Sequence, residues 1–360
     1  MKKKVGILTL PLHSNYGGIL QAYALYSVLA KQCDVTLLDD KMYEFQTLKE
    51  KLSLLRWNAM LLLGLKHSKH PMQQVRDEML EMIPFIERYI PLQMSASRLK
   101  DESLDVIVVG SDQVWRGVYS NDLLRYFLNF IPASWSIKRV AYAASFGVDN
   151  WCPPTKMRQQ LITCARQFDN VSVREQSGVA ICSEKLGGMK AEWVLDPTML
   201  LCADDYRALL TYTTPISVDK ICVYILDRSK VVDDLLDMMV NQLNYDIIDI
   251  CQRNEAGGKH GIEYWLSAIY HSHVVFTDSF HGTVFSILFN KDFIVIGNKE
   301  RGNSRFDSLL SLFGLQERYT SNPQTIQYLL SEKIDWNRVN QKLKSERERS
   351  LAWLIQAIEK

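Results

Sequence analysis

The chain has 360 residues, long for one domain and comfortable for two, and its 47% apolar content suffices for a core in each. With 42 basic against 41 acidic side chains the formal charge is +1, which argues against nucleic acid or any other partner recognised by a global field, so an anion site must be local. Seven scattered cysteines, never in a C-x-x-C pair, argue against a disulfide framework and a zinc ribbon and favour a reducing cytoplasm.

In chain order, KVGILTL (4–10) reads as a first strand rather than a signal peptide, because polar residues and glycines cut its apolar run short. A helix over 19–30 and a second buried strand, VTLLD (35–39), follow. Residues 44–100 read as a helical insertion. Within it, KLSLLRWNAMLLLGLKHSKH (51–70) is far short of the roughly 20 apolar residues that span a bilayer. Its flanking basic residues leave two readings: a helix lying on a membrane, giving peripheral contact at the inner face, or one packed against the core or a second copy. The inward-packed reading is preferred, and the oligomeric state is left open.

The strand pattern returns with LDVIVVGSD (104–112), RVAYAASFG (139–147), NVSVRE (170–175) and AEWVLDP (191–197), with helices near 154–168 and 176–186. A second series then begins: KICVYIL (220–226), a helix to 243, YDIIDI (245–250), a helix over 262–270, HVVFTDS (273–279), a helix over 280–289, and DFIVIG (292–297). The pattern predicts two facing Rossmann-like α/β domains with mostly parallel sheets, over 1–190 and 191–335, and a tail helix (336–360) returning to the first.

In such sheets ligands sit outside the carboxyl ends of the strands, where each chemistry-bearing stretch falls. In NYGGILQ (15–21) the two glycines permit close approach to a ligand at a helix amino terminus, or serve only a tight turn; neither G-x-G-x-x-G nor G-x-x-x-x-G-K-[ST] is present. Ser111, Asp112 and Gln113 end an apolar strand and can hold sugar hydroxyls, or Asp112 caps a helix. YAASFG (142–147) leaves room at the next strand end. Arg174 can grip a carboxylate or phosphate, or pair with Glu175. In TDSFHG (277–282), Asp278 or Ser279 can cap a helix whose first turn carries His281, facing the inter-domain cleft as a general base. Arg301 and Arg305 can meet a phosphate, or are solvated charge. His271, His273, His281 and Asp278 lack the spacing of a zinc signature, so no metal is expected.

The ordered set NYGGILQAYAL, VGSDQVW, YAASFG, SVREQSG, VLDPTMLL, TDSFHGTVFSILF and NSRFDSLL resembles the polysaccharide pyruvyl transferases over roughly residues 5–315. The resemblance implies a GT-B-like architecture and transfer of the enolpyruvyl unit of phosphoenolpyruvate to a sugar as a cyclic ketal, with no cofactor. By resemblance His281 and Arg174 are catalytic, and both bind the donor together with Ser279, Gly282 and Arg305. The family often has a second arginine where this chain has Ser279, a contact that Arg301 or Arg305 would replace. The acceptor, a sugar or its lipid-diphosphate-linked form, would then meet Asn15, Tyr16, Gly17, Gly18, Gln21, Ser111, Asp112, Gln113, Ser145 and Phe146. A nucleotide-sugar glycosyltransferase of the same architecture and a non-catalytic sugar-binding protein are the alternatives.

Overall fold

The computed structural model describes residues 2–39, 48–91, 93–117, 122–212, 220–297 and 304–359. The first half carries a seven-stranded sheet in the order β3-β2-β1-β4-β5-β6-β7, with β1 Lys4–Leu8, β2 Asp34–Leu38, β3 Gln93–Met94, β4 Val106–Val109, β5 Lys138–Ala144, β6 Asn170–Val173 and β7 Glu192–Trp193. The second half carries a four-stranded sheet in the order β11-β10-β8-β9, with β8 Lys220–Tyr224, β9 Asp246–Asp249, β10 Val274–Thr277 and β11 Asp292–Val295. All of these pairings are parallel. The central strands VIVV and VVFT are buried at every position, as parallel strands covered on both faces must be.

Two local differences from the sequence reading have simple causes. The insertion is not wholly helical: after the helices Leu48–Leu62, Pro71–Met79 and Ile83–Tyr89, the two-residue β3 pairs with β2, too short to leave an alternating signature. β7 belongs to the first sheet, so that sheet runs past residue 190. The helix Leu48–Leu62 does not pack into the core, for every described side chain on it is exposed or half-buried. Residues 44–47 of the insertion lie outside the described residues. Among the described residues no helix is long and apolar enough to cross a membrane.

Three features bring the halves together. A single apolar core runs from Val5 and Ile7 through the helix Tyr16–Ala30 to Trp265, Phe285 and Phe293. At its centre Tyr16 stacks on Trp265, ring centroids 5.4 Å apart, and gives its hydroxyl hydrogen to the His260 carbonyl (3.0 Å). The insertion reaches across as well, since Glu78 accepts from Arg253 (2.9 Å) and Glu81 from the Gly261 N–H (2.9 Å). Finally, the helix Trp336–Glu359 returns to the first half: Lys3 donates to the Ile358 carbonyl (2.8 Å), Arg347 to Met199 (2.7 Å), and the Leu195 N–H to Ser350 (3.1 Å).

Trp265 is fully buried against both halves, so Trp265→Ala is expected to cost about 3–5 kcal/mol in urea denaturation. A loss below about 1 kcal/mol, a surface-like value, would show that the halves do not rely on this contact.

Candidate functional site

The carboxyl ends of β4, β5, β6 and β7 deliver Asp112, Ser145, Arg174 and Asp196 to one place. The delivery depends on local irregularity. In β5 the register slips between Ala141 and Ala144, with Ala143 at φ 51°. The Ser172 hydroxyl fills the gap in the ladder, accepting from the Ala143 N–H and donating to the Ala141 carbonyl, each at 3.1 Å. Such a bulge re-aims the side chains just beyond it, here Ser145, which donates to Glu175 Oε1. Asp112, the first residue beyond the Gly-Ser of the β4 end, takes φ 74°, a left-handed conformation that aspartate tolerates better than most residues.

Arg174 is the hub. Its NH1 donates to Asp196 Oδ2 at 2.7 Å, and it lies 3.8 Å from Asp112 and 4.0 Å from Glu175. Asp196 is bound from all sides: Oδ1 accepts from the Thr198 N–H (3.0 Å) and hydroxyl (2.6 Å), and Oδ2 also accepts from Ser111 (3.1 Å). Burial alone would raise the Asp196 carboxyl, but the His281 ring and the Arg174 guanidinium hold it well below the usual carboxylate range. For Arg174 burial is likewise outweighed, by Asp196, Glu175 and Asp112, so its charge is secured. Glu175 goes the other way, its carboxyl raised by burial against the pull of Arg174 and Ser145.

From the second half, β10 ends at Thr277 and the helix Phe280–Leu288 begins. Ser279 caps it, accepting from the Gly282 N–H at 3.4 Å. Asp278 instead accepts from the Leu226 and Asp227 N–H groups (2.8 and 2.9 Å), tying β10 to β8. The first helical turn lowers His281 onto the first half, where its Nε2 lies 3.7 Å from Asp196 Oδ2, too far for a hydrogen bond. Its other face rests on Gly17: a Cβ there would come 1.9 Å from His281 Nδ1. That contact is the reason for the first glycine of the opening turn, where the sequence alone allows ligand approach or a tight turn.

Phe280 is flanked by two guanidiniums, Arg174 at 4.5 Å and Arg305 at 5.6 Å from the ring centroid. Arg305 sits in the helix Ser304–Phe313 and is buried; burial and the nearby Arg174 charge push its pKa down to about 10, so it remains cationic at neutral pH. Arg301 lies outside the described residues.

Arg174, His281, Ser279, Gly282 and Arg305 therefore lie in one neighbourhood. The acceptor set divides. Ser111, Asp112 and Ser145 are drawn into the Arg174 network rather than apart from it. Asn15 accepts from the Gly18 N–H (3.2 Å) as a helix cap. Gln21 is buried and donates to Thr9 and to the Gly18 carbonyl (both 2.9 Å), and Gln113 accepts from Arg116 (2.8 Å). Tyr16 is turned into the core between the halves, and Phe146 packs between Trp115 and Trp151, so both sit as core aromatics rather than as sugar contacts. Asp196 and Phe280 are site residues that sequence reasoning does not single out, and Glu175 enters it only as a pairing partner for Arg174. Asp196 leaves a signal, the Asp-Pro-Thr of a capped turn, but its partner is far along the chain.

Unused polar atoms on three side chains remain in this neighbourhood. Arg174 Nε and NH2, Glu175 Oε2 and His281 Nε2 are buried with no hydrogen-bond partner among the described residues. An arginine edge with two parallel N–H donors matches a carboxylate or phosphate.

The family model for polysaccharide pyruvyl transferase matches residues 15–300. No curated protein matches the sequence. Among solved structures, the UDP-N-acetylglucosamine 2-epimerase of Rickettsia bellii aligns with a TM-score of 0.52 at 10% identity, over 100% of this chain and 98% of that one. The UDP-GlcNAc 2-epimerase of Methanocaldococcus jannaschii aligns with a TM-score of 0.51 at 13% identity, over 98% and 99%. Identities so low speak to fold alone, the GT-B-like pair of facing Rossmann-like domains.

Removing Arg174 leaves the Asp196 charge buried and unpaired, so Arg174→Ala is expected to cost about 3–5 kcal/mol in equilibrium unfolding. Adding Asp196→Asn should recover part of that loss. Strictly additive single-variant costs would contradict the coupling.

Proposed function

Because the chain belongs to the polysaccharide pyruvyl transferase family and is a transferase, we propose that it moves a pyruvyl group from phosphoenolpyruvate to a sugar of a bacterial surface polysaccharide precursor, as a cyclic ketal, releasing phosphate. The observation that carries this reading is the buried Nε–NH2 edge of Arg174, which makes no hydrogen bond among the described residues although Glu175 and Asp112 stand 4.0 and 3.8 Å from it, next to a second guanidinium and an imidazole nitrogen that likewise makes none.

Phosphoenolpyruvate bears two anionic groups on one small skeleton. Its carboxylate fits the Arg174 fork, and Arg305, across Phe280, supplies the second positive charge toward the phosphate. Occupation by a dianion would also relieve the repulsion between the two arginines. The chemistry then needs proton movement. One sugar hydroxyl adds to the enol carbon while the methylene takes a proton; a second hydroxyl of the same sugar displaces phosphate from that carbon, and its proton leaves with the base. His281 is the group suited to carry both protons. Asp196, held ionised, stabilises the imidazolium when it forms. Phosphoenolpyruvate is a cytoplasmic metabolite, so the reading carries a cytoplasmic location with it.

Phosphate release from phosphoenolpyruvate, assayed against a panel of nucleotide-linked and lipid-linked sugars, tests the reading. His281→Ala is expected to lose about a hundred- to ten-thousand-fold in turnover while keeping its fold. Arg174→Lys keeps the charge but loses the fork, and should raise KM for phosphoenolpyruvate roughly tenfold or more with a smaller change in kcat. Near-normal turnover in both, or thermal protection by a nucleoside diphosphate but not by phosphoenolpyruvate, would overturn it.

Gly17→Ala is expected to push the His281 ring from its seat, lowering kcat about a hundredfold while leaving phosphoenolpyruvate binding intact. An unchanged kcat would mean that the ring position does not matter.

A further inference from the structure

Among the described residues, twelve large hydrophobic side chains are exposed, and seven of them lie between Leu48 and Leu65. They are not scattered. Leu48, Leu52, Leu55 and Leu62 follow one another at helical spacing along the helix Leu48–Leu62 and are 74%, 46%, 65% and 90% exposed. The opposite face is covered in part by the chain that follows the helix: Leu54, Trp57 and Leu61 are half-buried there, the Trp57 indole donates to the Ser68 carbonyl at 2.9 Å, and its ring meets His70 edge-on at 5.2 Å. At 3.6 residues per turn the exposed leucines, with Leu63, cover an arc of about 100°.

The charges around that arc select its occupant. Helical spacing sets Lys51 on one flank and Lys49 and Arg56 on the other, and all three are exposed. Lys66, over the Trp57 ring (4.5 Å), extends the basic character beyond the helix end, whereas Lys69 is neutralised by Asp77 (2.6 Å). Over residues 48–70 the sequence holds a single acidic residue, Glu50. A second copy seated on this stripe would set cations against cations with almost no acid to pair them. An anionic lipid surface supplies the missing sign and a place for the leucines, while long basic side chains reach back to the headgroups.

We propose that the helix Leu48–Leu62 lies in the interface of an anionic bilayer, with its leucine stripe in the acyl boundary and Lys49, Lys51 and Arg56 on the headgroups. The inference is independent of the donor chemistry. It does bear on access: the insertion continues into the helix Pro71–Met79, whose Glu78 accepts from Ser14 (3.0 Å) just before the turn beneath His281. One short stretch of chain thus links the bilayer-facing helix to the site.

Co-sedimentation of the full-length chain with phosphatidylcholine vesicles, with and without phosphatidylglycerol, tests it. The chain should pellet with the anionic vesicles, less so at high salt, and stay in the supernatant with the neutral ones. Two variants separate the contributions: Leu52→Asp/Leu55→Asp/Leu62→Asp and Lys49→Glu/Lys51→Glu/Arg56→Glu. Each should lower anionic-vesicle partitioning at least about tenfold without moving the thermal melt, because the altered side chains are exposed. Three outcomes would overturn the proposal: no pelleting with anionic vesicles, equal partitioning by wild type and both variants, or a dimer in light scattering that the leucine variant abolishes.

Discussion

The structure is arranged around one buried ion pair. Arg174, at the end of β6, and Asp196, just past β7, meet at 2.7 Å with almost no solvent contact. Withdrawing two charges from water is costly, and Coulomb attraction offsets the cost only where the remaining lone pairs are also satisfied. Asp196 meets that condition through Thr198 and Ser111. Arg174 does not, for only its NH1 is engaged in a short bond; among the described residues Nε and NH2 make no hydrogen bond, and the Glu175 and Asp112 carboxylates stand off at 4.0 and 3.8 Å, longer than a hydrogen bond. A pair half satisfied on the protein's side is poorly explained as stability alone. It is well explained as a cation fixed in position, with one edge kept for an anion.

The rest of the fold holds that pair still and brings the second half onto it. The segment carrying Asp196 is clamped by the returning C-terminal helix, through Leu195 to Ser350 and Arg347 to Met199, and by the Tyr142 hydroxyl on the Leu195 carbonyl (3.0 Å). Across the interface, the Tyr16–Trp265 stack seats the first helix beneath the helix that carries His281. The missing side chain of Gly17 then lets the ring descend to within reach of Asp196. A tail helix, an aromatic stack and a glycine, none of them chemical groups, set the geometry of the three that are.

Much of this was legible in the sequence because parallel strands buried on both faces write themselves as uninterrupted apolar runs. VIVV and VVFT announce their strands, and the polar residues after them announce the strand ends. What could not be read was non-local. Arg174 has Glu175 beside it, the obvious local partner, yet its short bond goes to Asp196 on the neighbouring strand end. Gly17 owes its identity to a histidine in the other half, so no local rule could choose between ligand approach and tight turn. Tyr16 and Phe146 show the converse error: an aromatic at an element end looks the same whether it faces a sugar or a core, and here both face the core. The two residues of β3 carry too little pattern to see at all. The apolar run of the helix Leu48–Leu62 is legible, but that its leucines stay exposed instead of packing inward is a tertiary fact.

The central claim is that the Nε–NH2 edge of Arg174 is the seat of the donor's anionic group. It is tested most directly by a crystal structure of the protein with phosphoenolpyruvate. The expected result is a carboxylate or phosphate accepting two parallel hydrogen bonds from Arg174, with the enol carbon beside the His281 ring and Asp196 still paired to NH1. A structure in which that edge is closed by a protein carboxylate, with phosphoenolpyruvate bound elsewhere or not at all, would contradict it.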